Sequence, residues 1–149
     1  MNKQGRYQRI VSQLEELFVK TKDPTSRMAT IASLLHNKFD SFSWTGFYRL
    51  VEGKLIVGPY QGLIACLVLK EHVGVCWHAI DTQKTVVVTD VHKFPGHIAC
   101  DSRSNSEIVV SVKDRSGSIV AVLDVDSTQL NNFDDEDAKG LEKIAEMIY

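Results

Sequence analysis

Two acids close an otherwise apolar run in Val120-Ala-Val-Leu-Asp-Val-Asp, and in an extended chain a spacing of two turns Asp124 and Asp126 to the same face. Glu107 opens an earlier run, Glu107-Ile-Val-Val-Ser-Val-Lys, and the turn Asp114-Arg-Ser-Gly lies between the two. If that turn joins them as a hairpin, counting outward from it brings Glu107 beside both aspartates. Carboxyl groups crowded in this way disfavour one another's ionisation, and a partly apolar wall adds to the effect. At least one then becomes an acid able to donate a proton near neutral pH. Facing water instead, the same three would be ordinary solvated residues at a strand end.

The other reactive candidates are three cysteines, Cys66, Cys76 and Cys100, and their number and spacing leave three accounts open. Inert burial suits Cys66, which sits in an apolar run. Cys100 lies in Gly96-His-Ile-Ala-Cys-Asp-Ser, where His97 could lower its pKa and favour the thiolate. A zinc site would need these cysteines with one of His72, His78, His92 or His97, but the chain has no C-x2-C pair of the kind structural zinc uses. In a redox couple one thiolate would attack an oxidised substrate, become a sulfenic acid and be resolved by a second cysteine. Alternation in Trp44-Thr-Gly-Phe-Tyr also puts Trp44 and Tyr48 on one strand face with Gly46 between them, which shapes a recess or simply covers a core.

The elements that must position these groups follow from periodicity. Residues 6–20 carry Ile10, Leu14, Leu17 and Phe18 at helical spacing. After the break at 21–25, Pro24 fits the first turn of a second helix whose apolar stripe fades by about Asp40. The pattern then changes to strands at 43–50 and 54–58, joined by a turn at 51–54. Residues 62–82 fit either a short helix or a strand, with a short helix expected from Gly74 to Ile80. Thr85-Val-Val-Val-Thr reads as a strand, 90–105 as a Gly- and Pro-punctuated loop, 107–113 and 118–126 as an antiparallel hairpin, and 134–148 as a helix with acids in its first turn. A long loop inside a compact domain is usually functional. The sum is an α+β fold in one domain over 1–149, with helices packed on one face of a central antiparallel sheet and a loop-covered pocket on the other.

Composition bounds the partners. The 149 residues are 44% hydrophobic and 24% charged, and 17 basic against 19 acidic side chains give a net charge of −2. This is a compact chain with no electrostatic case for nucleic acid or an anionic membrane surface, so a small molecule or a protein partner is expected. The opening MNKQGRYQRIVSQLEELF has charges and amides where a signal peptide carries an apolar core, and no stretch approaches the ~20 apolar residues of a membrane span. The expected location is cytoplasmic, where a disulfide framework is not the default use of cysteine.

Several blocks together resemble the free methionine-(R)-sulfoxide reductases, enzymes of the GAF fold: GPYQG at 58–62 followed by ACLVL, GVC at 74–76, VTDVHKFPGHIACDSRSNSEIVV at 88–110, and VLDVDS at 122–127. The resemblance implies that Cys100 attacks the sulfoxide sulfur and that Cys66 resolves the sulfenic acid by forming a disulfide, with Cys76 as a further participant. It also implies Trp44 and Tyr48 around the substrate methyl group, and Glu107, Asp124 and Asp126 on the ammonium and the sulfoxide oxygen. Backbone N–H groups of the 90–105 loop would meet the substrate carboxylate. Free methionine sulfoxide would be the substrate, a thioredoxin-type protein the reductant and a homodimer the family-level assembly, with no bound cofactor or metal. The chain departs from the family pattern where Leu69-Lys-Glu-His-Val precedes Gly74, and where Trp77-His78 follows Cys76 in place of glycine. The competing class is a non-catalytic GAF module that senses a small ligand or redox state. A chain of this length without an effector domain fits the enzyme better.

Overall fold

The computed structural model describes residues 2–97 and 100–149. Ile98 and Ala99, inside the longest block of the resemblance, lie outside the described residues, as do the backbone donors expected from them.

Asn2 caps the first helix, α1 (Lys3–Phe18), and Asp23 caps α2 (Pro24–Lys38) with Pro24 in its first turn. β1 (Trp44–Val51) and β2 (Lys54–Gln61) form a hairpin, followed by the short edge strand β3 (Val68–Leu69), α3 (Val75–Thr82) and β4 (Val86–Val88). A 3-10 turn at Val91–Lys93 starts the long loop, after which come β5 (Ser106–Lys113), β6 (Ile119–Ser127) and α4 (Asp135–Ala145). The six strands pair antiparallel in the order β3-β2-β1-β6-β5-β4. Among the described residues no helix is long and apolar enough to cross a membrane.

Alternation along the central strands divides the molecule into two layers. Phe47, Ile108, Val110, Leu123 and Val125 face α1, α2 and α4 in one core that also holds Leu14, Ile31, Leu35 and Ile144. The N-terminus of α4 is fixed by a reciprocal cap between Asp134 and Asp137. Tyr7 on α1 donates its hydroxyl to Asp137 at 2.7 Å, and Lys3 reaches the same carboxylate at 2.6 Å. The opposite sheet face carries Tyr48, Val109 and Val122, packed against Val75, Cys76 and Ala79 of α3.

Two expectations change here. The helices are not confined to one face, because α3 crosses the pocket face and closes one side of it. The ambiguous segment 62–82 resolves into a loop, the two-residue β3 and α3 itself. No run in it is long enough to show a period, which is why alternation could not separate the alternatives. β2 also runs past the expected end at Gly58. Two residues, Gly58 and Pro59, lie opposite Phe47 in the register between Gly46↔Tyr60 and Tyr48↔Val57, and such a bulge accommodates a proline that cannot donate to the ladder.

Candidate active site

The acidic floor is built by strand register. In the β5–β6 ladder Glu107 is paired with Asp126 and Val109 with Asp124, while in the β1–β6 ladder Trp44 is paired with Asp126 and Gly46 with Asp124. Period-two alternation therefore puts Glu107, Asp124, Asp126, Trp44 and Tyr48 on one face of three adjacent strands. Hairpin counting from the 114–117 turn had placed the three acids together, and Asp114 accepting from Gly117 and pairing with Ser118 closes that turn. Glu107 and Asp124 are 6% and 5% exposed, and Asp126 is half-buried.

Burial is the first cause that drives all three carboxyls above their usual range. The negative field of Asp124 adds to it at Glu107 and at Asp126. Hydrogen bonds from Glu107 to both aspartates work the other way for the acceptors, so the proton is held on Glu107 and shared toward Asp124 and Asp126. Cys76, projecting from α3, is buried and free, and its thiol is pushed up by the same burial and by the neighbouring carboxyls while it bonds to Asp124. The ligand atoms of Cys76, Glu107 and Asp124 lie within 4.8 Å of one another. One thiol and two carboxyls mix soft and hard donors without an imidazole, which suits shared protons better than a cation site.

The aromatic wall stands over this floor. Trp44 stacks with Tyr48 and Tyr60 at centroid distances of 5.7 and 5.2 Å, and its indole N–H donates to the Leu63 carbonyl at 3.1 Å. That bond ties the floor to the arm that carries Cys66. Gly46 is required beneath the indole, since a Cβ there would overlap both Tyr60 and the Trp44 ring.

Cys66 and Cys100, both half-buried, form a disulfide across the mouth, with Cα atoms 5.6 Å apart and 34 residues between them in sequence. Together with Ile64, Leu69 and Val73 they enclose a cavity above the carboxyls, of which about 60 Å³ is open to the centre of a water molecule. No lysine or arginine lines it among the described residues. Asp101 at its edge pairs with Arg103 through bonds of 2.9 and 3.1 Å, and that guanidinium holds the Asp101 carboxyl below its usual range. Burial and His92 push His97 down, so the imidazole is uncharged at neutral pH and offers a hydrogen bond rather than a counter-charge for a thiolate.

The fold thus brings all eight candidates, Cys66, Cys76, Cys100, Trp44, Tyr48, Glu107, Asp124 and Asp126, to one cavity. Ser104, only 5% exposed, lines it too and went unnoticed in the sequence, where a serine two residues before a strand carries no signal of its own.

A sequence model of the GAF domain matches residues 21–148. The free methionine-R-sulfoxide reductase of Escherichia coli is 42% identical over 127 residues, covering 83% of this chain and 76% of that one. Its namesake from Saccharomyces cerevisiae is 35% identical over 155 aligned positions, covering 99% and 86%. The solved structure of free methionine-R-sulfoxide reductase from Neisseria meningitidis in complex with its substrate has a TM-score of 0.94 at 36% identity, covering 99% of this chain and 89% of its own.

Proposed function

The chain belongs to the GAF-domain family, in the group that includes the free methionine-R-sulfoxide reductases, and from that membership we propose that it reduces free L-methionine-(R)-S-oxide to L-methionine. The observation that carries the reading is the Cys66–Cys100 disulfide set over a floor of three protonically coupled carboxyls.

In the reduced protein the Cys100 thiolate attacks the sulfoxide sulfur. A sulfoxide is a weak electrophile until its oxygen is protonated, and Glu107 supplies that proton as the S–O bond breaks. The oxygen leaves on the Cys100 sulfur as a sulfenic acid, and methionine is released. The Cys66 thiol then attacks that sulfur, expelling water and forming the Cys66–Cys100 disulfide. An external dithiol of the thioredoxin type takes up the disulfide and returns both thiols, which fits a reducing, cytoplasmic setting. Cys76, held as a neutral thiol by burial and by Asp124, keeps its proton during this cycle and buffers the acid cluster.

Asp124 and Asp126 bind the α-ammonium of the substrate through charge-assisted hydrogen bonds, which a methionine inside a peptide cannot reciprocate. Trp44 and Tyr48 receive the S-methyl group, a contact worth about 0.3–1.5 kcal/mol, and their fixed side of the pocket selects one sulfoxide epimer. The test is turnover with dithiothreitol and the separated epimers. Methionine should accumulate from the R form alone. Binding of the sulfoxide without consumption would instead identify a ligand-sensing module and overturn the enzyme reading.

A further inference from the structure

The polar groups of the cavity are sorted by chemistry. Its floor, Glu107, Asp124 and Asp126, offers acids and acceptors that suit an ammonium and a sulfoxide oxygen. Its other polar wall comes from the end of the long loop and offers donors. Ser104 is 95% buried, and its hydroxyl has no hydrogen-bond partner among the described residues. The Nε2 atom of His97 is likewise buried and unpartnered, and both residues line the cavity. Buried polar groups are nearly always paired, so two unpaired donors facing one small cavity are accounted for by a ligand that supplies their acceptors. The neighbouring Asp101 does not spoil the wall, because its carboxylate is engaged in both of its bonds to Arg103.

We propose that the Ser104 hydroxyl and the His97 Nε2–H form the subsite for the α-carboxylate of the ligand, across the cavity from the acids that take its ammonium. The proposal rests on the reading above that the pocket holds a free amino acid, and it adds side-chain donors that this reading does not use. The zwitterion is then gripped at both ends, with the sulfur between them directed at Cys100. Donors to a carboxylate are charge-assisted, and loss of one leaves a buried anion short of a partner.

The experiment compares kcat/KM for L-methionine-(R)-S-oxide with that for its carboxamide, which keeps the ammonium and the sulfoxide but lacks the carboxylate. In Ser104→Ala and in His97→Leu the acid-to-amide ratio should fall roughly tenfold each, the size expected for one hydrogen bond to a charged group. The loss should appear in KM with kcat largely kept, and His97→Gln, which retains an N–H, should restore most of the ratio. A ratio unmoved in both variants, or a parallel fall for acid and amide, overturns the subsite while leaving the reductase reading intact. Calorimetric titration of the reduced protein with L-methionine and L-methioninamide separates the opposite case. Absence of turnover, together with a preference for the acid that both variants abolish, would sink the reductase reading and sustain the subsite.

Discussion

Replacing Glu107 by Gln should make the protein slower and, above mildly acidic pH, more stable. Glutamine keeps the shape and an N–H able to donate to Asp124 and Asp126, but it has no proton to transfer. Loss of a general acid costs about 10²–10⁴ in rate, so kcat should fall within that range while KM changes little. The stability effect follows from the carboxyls whose folded values burial has raised. Below the ordinary carboxylate range both folded and unfolded chains hold these protons, and the cluster costs nothing by titration. As pH rises the unfolded chain releases them while the folded chain retains them, and stability drains away until the folded values are passed. Each unit of elevation withdraws about 1.4 kcal/mol, equivalent to about 3–6 °C of Tm for a chain of this size. Glu107→Gln removes its share, so the difference in Tm between variant and parent should grow from near zero at about pH 4 to several degrees at about pH 8. Single-turnover methionine release from the pre-reduced enzyme and thermal melts of the disulfide form, both across pH, check the two arms. A rise in KM with unchanged kcat would make Glu107 an ammonium ligand. A Tm lowered equally at every pH would show that the cluster stores no unfavourable protonation energy.

The remaining tests address the thiols and the scaffold. Cys100→Ser should abolish methionine formation even in a single turnover, whereas Cys66→Ser should complete one turnover and stall with a sulfenic acid that a dimedone-type trap labels by mass spectrometry. Equal loss in both variants would refute that division of labour. Gly46→Ala should cost about 1–3 kcal/mol by overpacking Trp44 against Tyr60, read as a lower denaturation midpoint, and should lower activity as well because the indole is displaced. Tyr7→Phe should cost about 1–3 kcal/mol by leaving a buried oxygen of Asp137 unpaired, with kinetics unchanged since that pair lies on the far side of the sheet.

Much of the floor was legible because it depends on two local facts, the period of a strand and the length of a turn. With Asp114-Arg-Ser-Gly as the pivot, Glu107 had to fall near Asp126, and the ladder bears this out. Trp44 and Tyr48 were readable from the same alternation, but their place over the acids needed the β1–β6 pairing, which joins strands some eighty residues apart in sequence. The disulfide came only from the likeness of whole motifs. Nothing in the spacing of Cys66 and Cys100 separates a bond from burial. Cys76 beside Asp124 was invisible for a related reason, since it depends on α3 folding back over the sheet, a packing choice that the short apolar segment before it does not encode. The departure from glycine at position 77 has a structural counterpart in a buried Trp77 that packs into the α3 layer, so this residue adds core where the family pattern has none.

The acids sit on the middle strands of the sheet, while both sulfurs of the cross-link hang from loops at its rim. Proton storage is therefore lodged in the stiffest part of the molecule and electron transfer in its most pliable. The two capacities are separable by inheritance: a descendant that lost its rim sulfurs would still own a rigid, anionic cup for small amines. One or two codon changes thus stand between a catalyst and a receptor on this scaffold, in either direction.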